Sequence, residues 1–169
     1  PINKLLVATN QNDILHRAIS NGNYEAETVS ETISPSMDIQ IASNFERLIF
    51  DLNDKNSEQT SKDMMKIKEE GKYSIGIEKL NLINQDFLSA RMSETETLDV
   101  IKSVYKEFNI VLDPHTAIGY GAFDKHNLNG NNIVLATAHP CKFPDAIQSA
   151  INIKAELPNE LQFILNEKE

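Results

Sequence analysis

Glycine is scarce in this chain, with six in 169 residues, and cysteine is scarcer, with Cys141 alone. A single cysteine excludes an intrachain disulfide and fits a reducing compartment. Neither GxGxxG nor a Walker-type glycine loop occurs, so a phosphate cradle built from backbone N–H groups has no obvious home in these residues. The GxSxG elbow of a Ser-His-Asp hydrolase is absent too. Of the four histidines, His16, His115, His126 and His139, none stands in HExxH spacing, and no CxxC exists, so no zinc-site spacing is present. No apolar run approaches the ~20 residues of a membrane helix. No basic and apolar leader stands at the start. The expectation is a cytoplasmic protein without a membrane partner. Acids exceed bases, giving a net charge of −9. A chain of that sign exerts no general pull on nucleic acid or anionic lipid.

What is present is an ordinary globular composition, 40% hydrophobic and 24% charged, long enough for one domain with a real core. Residues 4–9 (KLLVAT) form a short apolar run that reads as a buried strand. A polar loop, Asn10-Gln11-Asn12-Asp13, follows. A helix then carries Ile14, Leu15, Ala18 and Ile19, with Asn12 or Asp13 as cap and Gly22 past its end. This is half of a βαβ unit. Ser43 with Glu46, and Ser93 with Glu96, have capping-box spacing before apolar helical stripes. Residues 51–62 lack apolar side chains after Leu52 and read as exposed, with helix over 63–70 ended by Gly71. Asp113-Pro114 starts a helix that reaches about His126. The run Ile133 to Ala136 (IVLA) reads as a second strand; Pro144 and Pro158 open two last short helices. No repeat and no linker divides the chain. The fold class is α/β, helix-rich, with too few strands to make a good sheet alone.

Two segments place polarity where ligands bind, at the carboxyl ends of strands. Residues 10–13 serve either as a ligand loop or simply as the helix cap. In residues 135–140, Thr137 can donate or accept a hydrogen bond and Lys142 can supply charge; the alternative is a polar strand-to-helix turn. Arg47, one turn into the helix begun by Ser43, opposes the helix dipole. A bound anion would offset that, and so would a surface pair with Glu46 or Asp51, which spacing alone favours.

Taken together, four stretches resemble threonine synthases in the right order: LLVATNQNDIL at 5–15, SPSMDI with SNFER at 34–39 and 43–47, LDPHTAIG at 112–119, and ATAHPCKFP at 136–144. The resemblance runs nearly end to end. It implies the C-terminal part of a fold-type-II (tryptophan synthase β-like) pyridoxal-phosphate lyase that converts O-phosphohomoserine and water to threonine and phosphate. It further implies that Thr137 contacts the pyridine nitrogen of pyridoxal phosphate. Asn12, Asp13, Asn44, Arg47, His115 and Lys142 are implied on the substrate side, with Arg47 and Lys142 the choices for phosphate or carboxylate. Cys141 stands where the family more often has alanine. The family's Schiff-base lysine and its glycine-rich phosphate loop have no counterpart here. The expectation is therefore one unit, 1–169, without a catalytic residue of its own, inactive alone and not binding the cofactor alone. The alternative is a non-catalytic module that self-associates or pairs with a separate N-terminal half.

Overall fold

The computed structural model describes residues 2–167; Pro1, Lys168 and Glu169, part of the expected 1–169 unit, lie outside the described residues. The fold is α/β and helix-rich, with a partial sheet, as the sequence predicts. Strand β1 (Leu5–Thr9) pairs in parallel with β4 (Phe87–Arg91), Leu5 opposite Phe87 and Thr9 opposite Arg91. A second two-stranded ribbon, antiparallel, joins β2 (Asn23–Glu25) to β3 (Lys72–Ser74).

Helix α1 (Ile14–Asn21) follows β1 through the polar loop and buries Ile14, Ala18 and Ile19 at helical spacing. Gly22 ends it at φ 79°, its N–H donating to the Ala18 carbonyl at 3.1 Å. Helices α2 (Phe45–Leu52), α3 (Ser57–Glu70) and α4 (Ile77–Asp86) complete the middle of the chain. With α1, β2 and β3 they enclose one apolar cluster that includes Ile14, Tyr24, Ile49, Ile67 and Ile83. Tyr24 stacks on Phe45 within it, ring centroids 5.0 Å apart.

A second cluster forms from α5 (Glu94–Phe108), α6 (Pro114–His126) and α7 (Pro144–Ile151), centred on Ile101, Ala117 and Ile147. The Ser93–Glu96 capping box starts α5 as predicted. Asp113 caps α6, accepting from the backbone N–H groups of His115 and Thr116, with Pro114 in the first turn. Both α1 and α6 pack against the β1–β4 pair.

Three expectations need correction. Residues 133–136 form no strand; Ile133 and Leu135 are 89% and 75% exposed, and the partner of β1 is instead the unpredicted β4. The helix expected over 63–70 starts six residues earlier: residues 57–62, exposed as expected save Thr60, are the first turns of α3, capped by Asn56, whose side chain accepts from the Gln59 N–H at 3.0 Å. Asn44, not Ser43, occupies the cap of α2, and no side-chain cap bond forms there. The strands β2 and β3 and the helix α4 had no clear sequence signal either. The final element is a 3₁₀ helix, Asn159–Asn166.

Candidate active site

The loop after β1 does more than cap α1. Asp13 stands at the cap position without a cap bond. Its carboxylate pairs with Arg17 at 2.8 Å and with Arg91, at the end of β4, at 3.5 Å. Asn10 and Asn12, each 2% exposed, turn to a segment well downstream in sequence. Asn10 Nδ2 donates to Asp38 Oδ1 at 2.7 Å and to Thr32 Oγ1 at 2.9 Å. Asn12 Nδ2 donates to Asp38 Oδ1 at 3.0 Å and to the Ser30 carbonyl at 2.8 Å, and its Oδ1 accepts from the Ser30 N–H at 2.8 Å. Asp38 also accepts from the Thr32 hydroxyl at 2.6 Å and from the Thr32 N–H at 2.8 Å. Residues 30–38 are thereby strapped across the carboxyl end of β1. Glu94, in the first turn of α5, adds a further tie by accepting from the Ile33 N–H at 2.9 Å.

Within the strap, residues Pro35–Met37 make one 3₁₀ turn. The Ser36 N–H donates to His115 Nε2 at 3.3 Å. His115 Nδ1 lies 3.1 Å from Asp113 Oδ1. An N–H donor at Nε2 requires that nitrogen to be bare, so the proton of a neutral ring sits on Nδ1 and is donated to Asp113. His115 is 6% exposed, and Phe143 lies against it, ring centroids 4.8 Å apart. The other oxygen of Asp113 accepts from the Thr116 hydroxyl. Thr116 Oγ1 in turn accepts from the Thr137 N–H at 3.0 Å. Hydrogen bonds therefore run unbroken from the Pro35–Met37 turn to Thr137.

The predicted site residues fall into two groups. Asn12, Asp13, His115 and Thr137 lie on or beside this network, and Lys142 sits exposed in the 3₁₀ turn Pro140–Lys142, next to Phe143. Asn44 and Arg47 are exposed and line a different groove, of about 790 Å³, between α2 and α3. Lys68, Met64 and Phe50 share that groove. Sequence reasoning pointed to Asn10 only as part of the 10–13 loop and missed Thr32, Asp38 and Asp113 as site-building residues. Thr32 and Asp38 act through Asn10 and Asn12, 22 to 28 positions away, which local spacing does not reveal. Asp113 reads locally as a helix cap, and its hold on the His115 and Thr116 side chains hides behind that role. It also missed a smaller cleft of about 490 Å³ lined by His16, Ser89, Arg91, Glu96, Lys125 and His126. Burial there lowers the pKa of the His16 imidazole, the Asp13 charge opposing that shift. Among the described residues no three His, Cys, Asp or Glu side chains gather as metal ligands, and no helix is long and apolar enough to cross a membrane.

The stretches that meet in this network are, the SNFER segment at 43–47 apart, those that resemble one family, and comparison with known proteins agrees. A family model described as threonine synthase, C-terminal, matches residues 116–169. Threonine synthase from Pseudomonas aeruginosa is 39% identical over 172 residues, covering 100% of this chain and 37% of that protein. The chain matches the C-terminal portion of threonine synthases. The crystal structure of threonine synthase from Brucella melitensis, bound to pyridoxal phosphate, superposes with a TM-score of 0.94 at 41% identity, over 100% of this chain and 37% of that one. The yeast threonine synthase structure gives 0.90 at 35% identity, over 100% and 38%. The chain thus spans a little over a third of the length of the threonine synthases it matches.

Proposed function

We propose that these residues form the C-terminal part of a threonine synthase active site, acting on O-phosphohomoserine and water to give threonine and phosphate with pyridoxal phosphate. The observation that carries this reading is the convergence of residues from all four family-like stretches, the SPSMDI half of the second included and its SNFER half lying apart, into one hydrogen-bonded site at the carboxyl end of β1. That is where α/β folds hold their ligands.

The residues suit the cofactor. The Thr116 hydroxyl proton is committed to Asp113, and its oxygen accepts from the Thr137 N–H. Thr137 is exposed, and its hydroxyl, 3.4 Å from Thr116 Oγ1, can turn its proton to an incoming acceptor. A neutral hydroxyl in that role fits an unprotonated pyridine nitrogen as acceptor. When bound, pyridoxal phosphate supplies the electron sink that loss of phosphate from the γ-carbon and addition of water at the β-carbon both require. The proposal assigns no lysine of these residues as the amine that holds the cofactor. It therefore treats 1–169 as one unit that works with a lysine-bearing part of the same enzyme.

On the substrate side, exposed Arg47 and Lys142 are the groups proposed for phosphate or carboxylate, because an anion needs a cation that its own protein has not already paired. Asn44 accompanies Arg47 at the start of α2. Asn12, Asp13 and His115 are proposed to shape the substrate side from behind, since their polar atoms are engaged with protein partners.

Thr137→Val and Thr137→Ser, made in the threonine synthase that contains these residues, test the reading. Losing one hydroxyl contact of this kind lowers threonine formation from O-phosphohomoserine by roughly 10–100-fold in the valine variant. The serine variant stays within a few-fold of the parent. The 169-residue chain alone forms no threonine. Undiminished turnover by the valine variant, or robust turnover by the 169 residues alone, overturns the proposal.

A further inference from the structure

We propose that His115 and Thr116 are positioning residues, both made by Asp113 to donate inward and accept outward, so that the Pro35–Met37 turn and Thr137 keep a fixed spacing. Asp113 is 1% exposed, and all of its polar contacts are with the start of α6. Its carboxylate only accepts. It therefore compels the His115 ring and the Thr116 hydroxyl both to donate inward. That leaves each with an acceptor atom turned outward, Nε2 on His115 and Oγ1 on Thr116, whose lone pairs the Thr137 hydroxyl also approaches at 3.4 Å. Each acceptor takes a backbone N–H from a different distant segment, Ser36 on one side and Thr137 on the other.

Adjacent residues on the first turn of one helix thus tie together two chain segments about a hundred positions apart. Side chains at consecutive helix positions point in directions roughly 100° apart. The helix start therefore acts as a rigid bracket between the two. Asp38, Asn10 and Asn12 hold the strap that carries Ser36 from its other end. Phe143 covers the imidazole and keeps water from competing for its nitrogens.

That the two tethered segments face the substrate and the cofactor rests on the function proposed above; the tethering itself does not, and its test needs no turnover. In the 169-residue chain with ¹⁵N-labelled histidine, long-range ¹H–¹⁵N correlation is expected to show His115 with the proton on Nδ1 and a bare Nε2. Hydrogen exchange then reads the two amides. His115→Gln places an amide oxygen near the Nε2 position and is expected to keep the Ser36 amide protected. His115→Asn reaches only the Nδ1 position, so the Ser36 amide exchanges at least ~10-fold faster than in His115→Gln, the equivalent of one modest hydrogen bond. Thr116→Ser keeps the Thr137 amide protected, and Thr116→Val releases it. A proton on Nε2 overturns the proposal, as does equal Ser36 exchange in the glutamine and asparagine variants. Unchanged Thr137 exchange in Thr116→Val does so too. Should the asparagine or valine variant unfold, the conservative pair carries the test: loss of either amide's protection in His115→Gln or Thr116→Ser refutes the bracket.

Discussion

Asp38 gives the sharpest test of how the strap is held. One of its oxygens accepts from Asn10, Asn12 and the Thr32 hydroxyl, and the other from the Thr32 N–H at 2.8 Å. Asp38→Asn is nearly isosteric, but only one terminal atom can still accept. If the amide oxygen faces the three side-chain donors, the amide NH₂ meets the Thr32 N–H head-on. If it is flipped, the NH₂ meets three donors. The first arrangement costs least. It forfeits one charge-assisted bond, worth about 1.5–3 kcal/mol, and weakens the other three from charge-assisted to neutral strength. The expected loss is about 3 kcal/mol for a partly buried group. Urea unfolding followed by far-ultraviolet circular dichroism reads this as a midpoint lowered by about 1–3 M, since m lies near 1–3 kcal/mol/M for small proteins. Ser36→Ala, an exposed side chain on the same strap, is the control and should stay within about 0.5 kcal/mol of the parent. A midpoint for Asp38→Asn as high as that of the control would refute the reasoning.

Other perturbations follow from single contacts. At Gly22, φ is 79° and an added Cβ would lie 2.7 Å from the Ile75 carbonyl oxygen, whereas at Gly71, φ 73°, nothing lies within 4 Å. Gly71→Ala should therefore cost only the left-handed penalty of about 1–2 kcal/mol, and Gly22→Ala clearly more, by thermal denaturation; equal losses would show that the contact is harmless. The Glu96 carboxyl is held down to about 2, first by its hydrogen bond to Lys125 and then by the Ser93 N–H, with burial opposing. A folded value below the ordinary 4.5 contributes stability above that pH, which is lost as the pH falls from about 4.5 to 2. Glu96→Gln keeps the capping-box geometry but loses the charge, so its melting temperature should fall less steeply than the parent's across that window. Parallel curves would rule out Glu96 as a source of the slope.

Elements with a covalent or local signature were legible from sequence. The capping box at Ser93 and the Asp113-Pro114 start each satisfy a helix end with neighbours a few residues away. Strand β4 was not legible. It follows α4 with no breaking residue, Phe87 itself being the helix cap, so FLSAR reads as more of the same apolar segment. The start of α3 was hidden for another reason. Two of its three buried residues, Thr60 and Asp63, are polar, and Asp63 is satisfied by Asn53, Gln59 and Tyr73 rather than by an apolar surround. Residues 133–136 show the converse error. An apolar, β-branched run has the propensity of a strand, but a strand exists only where a neighbour completes its hydrogen bonds. In the site, the sequence pointed to residues 10–13 and left open whether they cap a helix or build a pocket. The partners of Asn10 and Asn12 lie 18–28 positions further on, beyond any local pattern.

The parallel register of Leu5 with Phe87 also sets a timetable. During synthesis at 5–20 residues per second, β4 emerges roughly 4–16 s after β1. Throughout that interval β1 lacks its β4 partner, and α1 to α4 all leave the ribosome before β4 does. The nascent LLVAT segment thus waits for β4, and the loop closure that brings the two together carries the entropy cost of a separation of about 80 residues.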